Sequence, residues 1–119
     1  MANPFIHIEL QTKDIDSSKK FYSTMFDWKL EDTPGKDYTM INVGDGTGGG
    51  IMKNPLPGTS DNWLPYILVE DAVASTKKAL SLRAAICKDV TEIPGVGWFS
   101  VILDPTGAAF GLWQPKTDM

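Results

Sequence analysis

Phe5-Ile-His-Ile-Glu-Leu-Gln11 alternates along its length, the pattern of a half-buried strand. Period two sends Ile6, Ile8 and Leu10 to one face and Phe5, His7, Glu9 and Gln11 to the other. Asp14 follows as the N-cap of a helix reaching Phe26, with Ile15, Ser18, Tyr22 and Met25 or Phe26 spaced along its inward side. Strands are predicted over Trp28–Glu31 and Tyr38–Val43, parted by the turn-forming Thr33-Pro-Gly-Lys-Asp37. Gly44-Asp-Gly46 signals a hairpin into a fourth strand, Gly48–Met52.

The pattern then starts again. Trp63–Val69 reads as a strand, and Asp71 caps a helix through Leu82. Strands over Ala84–Val90, Trp98–Leu103 and Ala108–Trp113 complete the chain, the last two joined by the tight turn Asp104-Pro-Thr-Gly107. Asp14-Ile-Asp-Ser-Ser-Lys-Lys20 also matches Asp71-Ala-Val-Ala-Ser-Thr-Lys-Lys78 with a one-residue slip, and the two caps stand 57 positions apart. The expected organisation is one domain over 1–119 built from an internal βαβββ repeat, with modules at about 4–54 and 63–115 and a linker at 55–62. Two such modules side by side give an α+β fold, an open curved eight-stranded sheet with one helix per module on the outside. The uncovered face is then a trough, the natural place for a ligand.

Composition narrows the function classes. With 119 residues, 42% of them hydrophobic, the chain can bury a core without disulfide or metal support. Eleven basic against fifteen acidic residues leave a net charge of -4, and the only basic pairs are Lys19-Lys20 and Lys77-Lys78, which excludes a phosphate-tracking nucleic-acid surface. No apolar run approaches the ~20 residues of a membrane span. The N-terminus lacks a signal-peptide pattern, and Cys87 is the single cysteine, read as a small buried hydrophobe. A cytoplasmic location is expected.

Two stretches carry a family resemblance. Phe5-Ile-His-Ile-Glu-Leu10, Asp14 and Phe21-Tyr-Ser-Thr-Met-Phe-Asp-Trp28 resemble the opening of the vicinal-oxygen-chelate superfamily, which includes glyoxalase I, bleomycin-resistance proteins and extradiol dioxygenases. Asp104-Pro-Thr-Gly-Ala-Ala-Phe-Gly-Leu-Trp-Gln-Pro115 is similar to its final hairpin. In metal-dependent members the resemblance implies His, Glu or Gln ligands around a divalent ion that chelates adjacent substrate oxygens. His7 stands at the first such position. The second falls at Ile51 or Met52, the third at Pro65 and the fourth at Gly111, and neither Tyr66 nor Ala109 repairs the set. No resident cofactor is therefore expected, although His7 and Glu9 share a face and could hold a divalent ion weakly.

The remaining candidates sort by chemistry. His7, the only histidine, is either a polar lining residue or a base tuned by Glu9. Gly44-Asp-Gly-Thr-Gly-Gly49 fits the dinucleotide fingerprint literally, but Pro55 and Pro57 follow where a helix is required, so a hairpin is expected. Glycines 48–50 would leave room for a ligand or a close backbone. Trp63 and Trp113 could wall a flat ligand, whereas Trp28 reads as core. The expected ligand-lining set is His7, Glu9, Met52, Trp63, Trp98, Gly111 and Trp113, with His7 and Glu9 the candidate catalytic pair. The leading functional expectation is binding of a small organic molecule without a catalytic metal, in a homodimer. The alternatives are a glyoxalase-type lyase or dioxygenase using His7 and Glu9 with a divalent metal, and an interaction module with no ligand.

Overall fold

The computed structural model describes residues 2–35, 37–55 and 58–116. Two compact units divide the chain, residues 6–64 in one and residues 65–119 with 1–5 in the other.

The first unit runs β1 (Phe5–Thr12), α1 (Ile15–Met25), β2 (Lys29–Asp32), β3 (Tyr38–Asn42) and β4 (Gly49–Lys53). Its strands lie in the order β2-β3-β4-β1, with β1 parallel to β4 and the other pairs antiparallel. Helix α1 starts where Asp14 Oδ1 accepts from the Ser17 N–H at 3.0 Å, satisfying a donor that has no partner within the helix. Register places Leu10, Ile51 and Thr39 side by side on one face, and Ile41 beside Leu30 and Gly49 on that same face. Leu10, Ile41 and Ile51 form the buried core, closed by Ile15 and Tyr22 of α1 and by Trp28 and Val43. A Cβ on Gly49 would meet the Ile8 carbonyl oxygen, so β4 can close against β1 only with glycine there.

The last turn of α1 departs from the expected inward stripe. Met25 is 61% exposed and Phe26 44% exposed. The helix stops at Met25, and extended backbone at Phe26 (φ -129°) swings its ring onto Trp28, 4.9 Å between centroids.

The second unit holds most of β5 (Asn62–Leu68), whose first residues belong to the first unit, then α2 (Ala72–Ser81), β6 (Ala85–Ile93), β7 (Gly97–Leu103) and β8 (Ala109–Pro115). The order is β5-β8-β7-β6, with β5 parallel to β8. Asp71 caps α2 through the Ala74 N–H at 3.0 Å. Val69, Ala72, Ile102 and Leu112 make the core. Within it the Thr76 hydroxyl donates to the Ala72 carbonyl at 2.7 Å, which leaves the Ser100 hydroxyl to donate to Thr76 Oγ1 at 2.9 Å. Both polar groups are thereby buried with partners. Asp104 Oδ1 closes the β7–β8 turn by accepting from Thr106 and Ala108, and Gly107 takes the left-handed φ of +94° that this turn needs.

The α+β class and the paired βαβββ order are those predicted from the sequence. Cys87 is a correction: it is exposed, because β6 is an edge strand whose register slips between Ile86 and Lys88 and again before Thr91. The segment read as a plain linker is pinned in its described part, where the buried Asn54 side chain donates to Thr59 Oγ1 at 3.1 Å and the Ser60 carbonyl at 3.2 Å. Among the described residues no helix is long and apolar enough to cross a membrane.

Ile51 and Ile102 are both fully buried. Ile51→Ala and Ile102→Ala are each expected to cost about 2–5 kcal/mol in urea unfolding, and Ile→Val at either position roughly 0.5–1.5 kcal/mol. A loss below the Ile→Val range for either alanine variant would contradict the core as described.

Candidate functional site

The face of the first unit's sheet opposite Leu10 and Ile51 is built from alternate residues. β1 contributes His7, Glu9 and Gln11. Register sets Gly50 beside Glu9 with Met40 beyond it, and Met52 beside Gln11 with Tyr38 beyond. Tyr38 is on β3, one full strand away from β1. Its ring crosses that strand above Gly50, where a Cβ would meet the ring itself.

The crossing brings three polar side chains together. Tyr38 Oη is 2.6 Å from His7 Nε2 and donates to Glu9 Oε1 at 3.0 Å. Gln11 Nε2 donates to Glu9 Oε2 at 2.9 Å. The His7 and Tyr38 rings are near parallel, 20° between planes with centroids 6.2 Å apart. Glu9 is only 6% exposed, and a carboxylate that dry is tolerated because both its oxygens accept hydrogen bonds. An ionised carboxylate can only accept, so the single Tyr38 proton points to Glu9 and the Tyr38 oxygen accepts from His7 Nε2–H. The network thus assigns His7 its Nε2–H tautomer, with Nδ1 the lone-pair nitrogen.

Burial pushes the His7 pKa below its ordinary 6.5, and the charge of Glu9 opposes this without reversing it. Neutral imidazole is therefore the working form at neutral pH. The arrangement can accept a proton or hydrogen bond at imidazole and hold a donor against a fixed carboxylate.

Among the described residues no three His, Cys, Asp or Glu side chains gather. His7 Nε2 and Glu9 Oε1 are both engaged by the Tyr38 hydroxyl.

The second unit repeats the device with different chemistry. The Tyr66 ring covers Gly111, where a Cβ would meet it, and stands edge-on to Phe99 at 6.3 Å. Trp113 pairs with Leu68 and Phe99 on that same face. Tyr66, rather than Pro65, therefore holds the side of β5 that faces with Gly111.

The sequence-predicted residues thus fall into separate groups. His7, Glu9 and Met52 come together with Tyr38 and Gln11, and Gly111 and Trp113 come together with Tyr66 and Phe99. Trp98 lies on the opposite side of β7, packed on the Ile102 core with Lys116 Nζ 4.9 Å over its ring. Trp63 shares the parity of Pro65 and packs edge-on against Tyr22 and Trp28, at 5.4 and 6.4 Å. Alternation puts both indoles on the helix-covered face, apart from the polar network. Tyr38 and Gln11 are the residues that sequence reading passed over. Gln11 was visible through its shared parity with Glu9, whereas Tyr38 needed the pairing of β3 with β4.

A family model described as bleomycin resistance protein-like N-terminal matches residues 5–44. A protein named "Putative glyoxylase CFP32" from Mycobacterium tuberculosis (strain CDC 1551 / Oshkosh) is 34% identical over 110 residues, which are 90% of this chain and 42% of that protein. The anthracycline biosynthesis protein DnrV of Streptomyces peucetius is 24% identical over 123 residues, covering 89% of this chain and 45% of that one. The chain therefore spans less than half the length of these curated relatives. Among solved structures, methylmalonyl-CoA epimerase from Mycobacterium tuberculosis has a TM-score of 0.68 at 14% identity, covering 95% of this chain and 88% of its own. Hypothetical protein BH1468 from Bacillus halodurans C-125 has a TM-score of 0.71 at 12% identity, covering 100% and 99%. At those identities the likeness is one of fold.

Two outcomes follow from the network. In tag-free protein His7 is the only histidine, so its ¹⁵N resonances read the site directly. They should show Nε2–H and a titration midpoint below 6.5. Because the fold lowers this pKa, the neutral ring's share of stability is complete above 6.5 and disappears as pH falls through the folded midpoint. A midpoint above 6.5 would reverse that sign. Gly50→Ala should displace the Tyr38 ring, cost about 1–3 kcal/mol and abolish the tautomer preference. An unchanged His7 spectrum in Gly50→Ala would show that the ring does not need the glycine.

Proposed function

We propose that the chain is a glyoxalase/bleomycin-resistance-like member of the vicinal-oxygen-chelate superfamily that binds a small organic molecule on its His7–Tyr38–Glu9 face without a resident metal. The observation that carries this reading is the Tyr38 hydroxyl standing between His7 Nε2 and Glu9 Oε1. The two side chains with the strongest claim to ligate an ion are tied to a phenol instead, and a network of this kind recognises hydrogen-bonding groups on a ligand. Met40 and Met52 flank it, and thioether side chains adapt to a flat organic surface. The anthracycline biosynthesis relative is in keeping with an organic ligand of that kind.

More than half of each relative lies outside the matched segment, which leaves room there for another domain of this size. Action as a homodimer is part of the same reading. A cytoplasmic site of action is part of the same reading and rests on the single cysteine.

The relative named as a glyoxylase favours one rival, a metal-dependent lyase using His7 and Glu9. Thermal melts with nickel, zinc, iron or manganese against chelator separate the two. A specific ion at 100 times its Kd adds about 2.7 kcal/mol to stability. The binding reading expects no ion-specific shift, and it expects melt shifts with small organic ligands that weaken in His7→Ala and Tyr38→Phe. A metal shift that disappears in His7→Ala would replace it with the lyase.

A further inference from the structure

On the other, helix-covered side of the same sheet, the first unit opens a cleft of about 230 Å³. Its floor is Ile8, Ile41 and the bare backbone of Gly49, and its walls are the indoles of Trp28 and Trp63. These two rings meet at 85° with centroids 6.4 Å apart, forming a corner. Both indoles pack on Tyr22. Tyr22 lies nearly parallel to Trp28 at 5.7 Å, 15° between planes, and stands edge-on to Trp63 at 5.4 Å. Trp63 nevertheless stays 38% exposed.

The geometry points to a second binding site in this corner, for a neutral planar molecule of one or two fused aromatic rings. Shape and chemistry agree on that class. A flat ring laid on one indole meets the other edge-on, and both arrangements are favourable for aromatic pairs. Among the described lining residues the only polar side-chain groups are the Thr47 hydroxyl and the two indole N–H groups, so a charged ligand would be left without a counter-ion. An apolar cavity of roughly 150 Å³ suffices for benzene, while drug-sized ligands take about 300–1,000 Å³. The volume here lies between, at the size of a bicycle. Filling it removes indole surface from water at about 25 cal/mol per Å².

The site is distinct from the His7 face. Ile8 lines the cleft, and its chain neighbours His7 and Glu9 project from the opposite side of β1. Occupancy of one face can therefore be tested without the other.

Indole is the probe, followed by saturation-transfer difference NMR on the full chain. Transfer to indole is expected with wild type and with His7→Ala. Binding should fall about tenfold in Trp63→Ala, which removes a wall. Thr47 is exposed at the rim. Thr47→Phe should block the cleft to a similar extent and leaves the core untouched, so it carries the test even if Trp63→Ala fails to fold. No transfer with wild type, or equal transfer with Thr47→Phe, would overturn the site. So would a self-association in sedimentation that Thr47→Phe abolishes, because a second copy would then be the occupant. Loss in His7→Ala with retention in Thr47→Phe would move indole to the polar face and overturn the site while leaving the proposed function standing.

Discussion

Glu9 and Leu10 are adjacent in the chain and both are buried, on opposite faces of β1. Burying the leucine needs only apolar neighbours. Burying the carboxylate needs donors, and two arrive in different ways. Gln11 sits two residues along the same strand, whereas Tyr38 reaches over a whole intervening strand. That reach is possible only because residue 50 has no side chain. Three successive residues of β4 therefore do separate work: Gly49 lets the strand close on Ile8, Gly50 clears a path for Tyr38, and Ile51 fills the core. The close backbone approach on one side and the polar network on the other depend on the same short segment.

The second unit uses the same scaffold to a different end. A tyrosine again covers a glycine, Tyr66 over Gly111, and an aspartate again caps the helix. Here the aromatic ring comes from the strand beside the glycine rather than from one beyond it, and its neighbours are Phe99 and Trp113. Glu9 pairs with Gly50 as Tyr66 pairs with Gly111, so matching positions of the repeat hold a carboxylate in one unit and a phenol in the other. A repeat that conserves backbone register can vary chemistry at single positions without disturbing the core. The inner faces differ in the same manner: the second unit buries a Thr76–Ser100 hydroxyl pair, whereas in the first the buried Thr39 hydroxyl donates to Asp32 Oδ1 at 2.8 Å.

The network also bears on mechanism. A free His and Glu on one face are a familiar start for metal chemistry, but here the phenol mediates between them and fixes the imidazole proton. Desolvation then keeps that imidazole neutral in the pH range where it would otherwise begin to charge. The relation to solved structures at 12% and 14% identity fixes the scaffold and leaves this local chemistry to the residues of the chain itself.

Alternation, helix caps and turn residues lie within a few positions of one another, so β1, both helices and their aspartate caps, the Gly44–Gly46 hairpin and the Asp104 turn were legible in the sequence. The same local information placed His7, Glu9 and Gln11 on one face. It could not say which parity of β5 and β7 lies against a helix, and Trp63 and Trp98 both pack on the helix side, apart from His7 and Glu9. Nor could it show that Cys87 lies on an exposed edge. Tyr38 and Glu9 are 29 residues apart, and their meeting depends on how β3 and β4 pair and on where glycine leaves space. Period two records that a strand has two faces. Only packing against a particular helix and a particular neighbouring strand decides which face is which and which side chains touch.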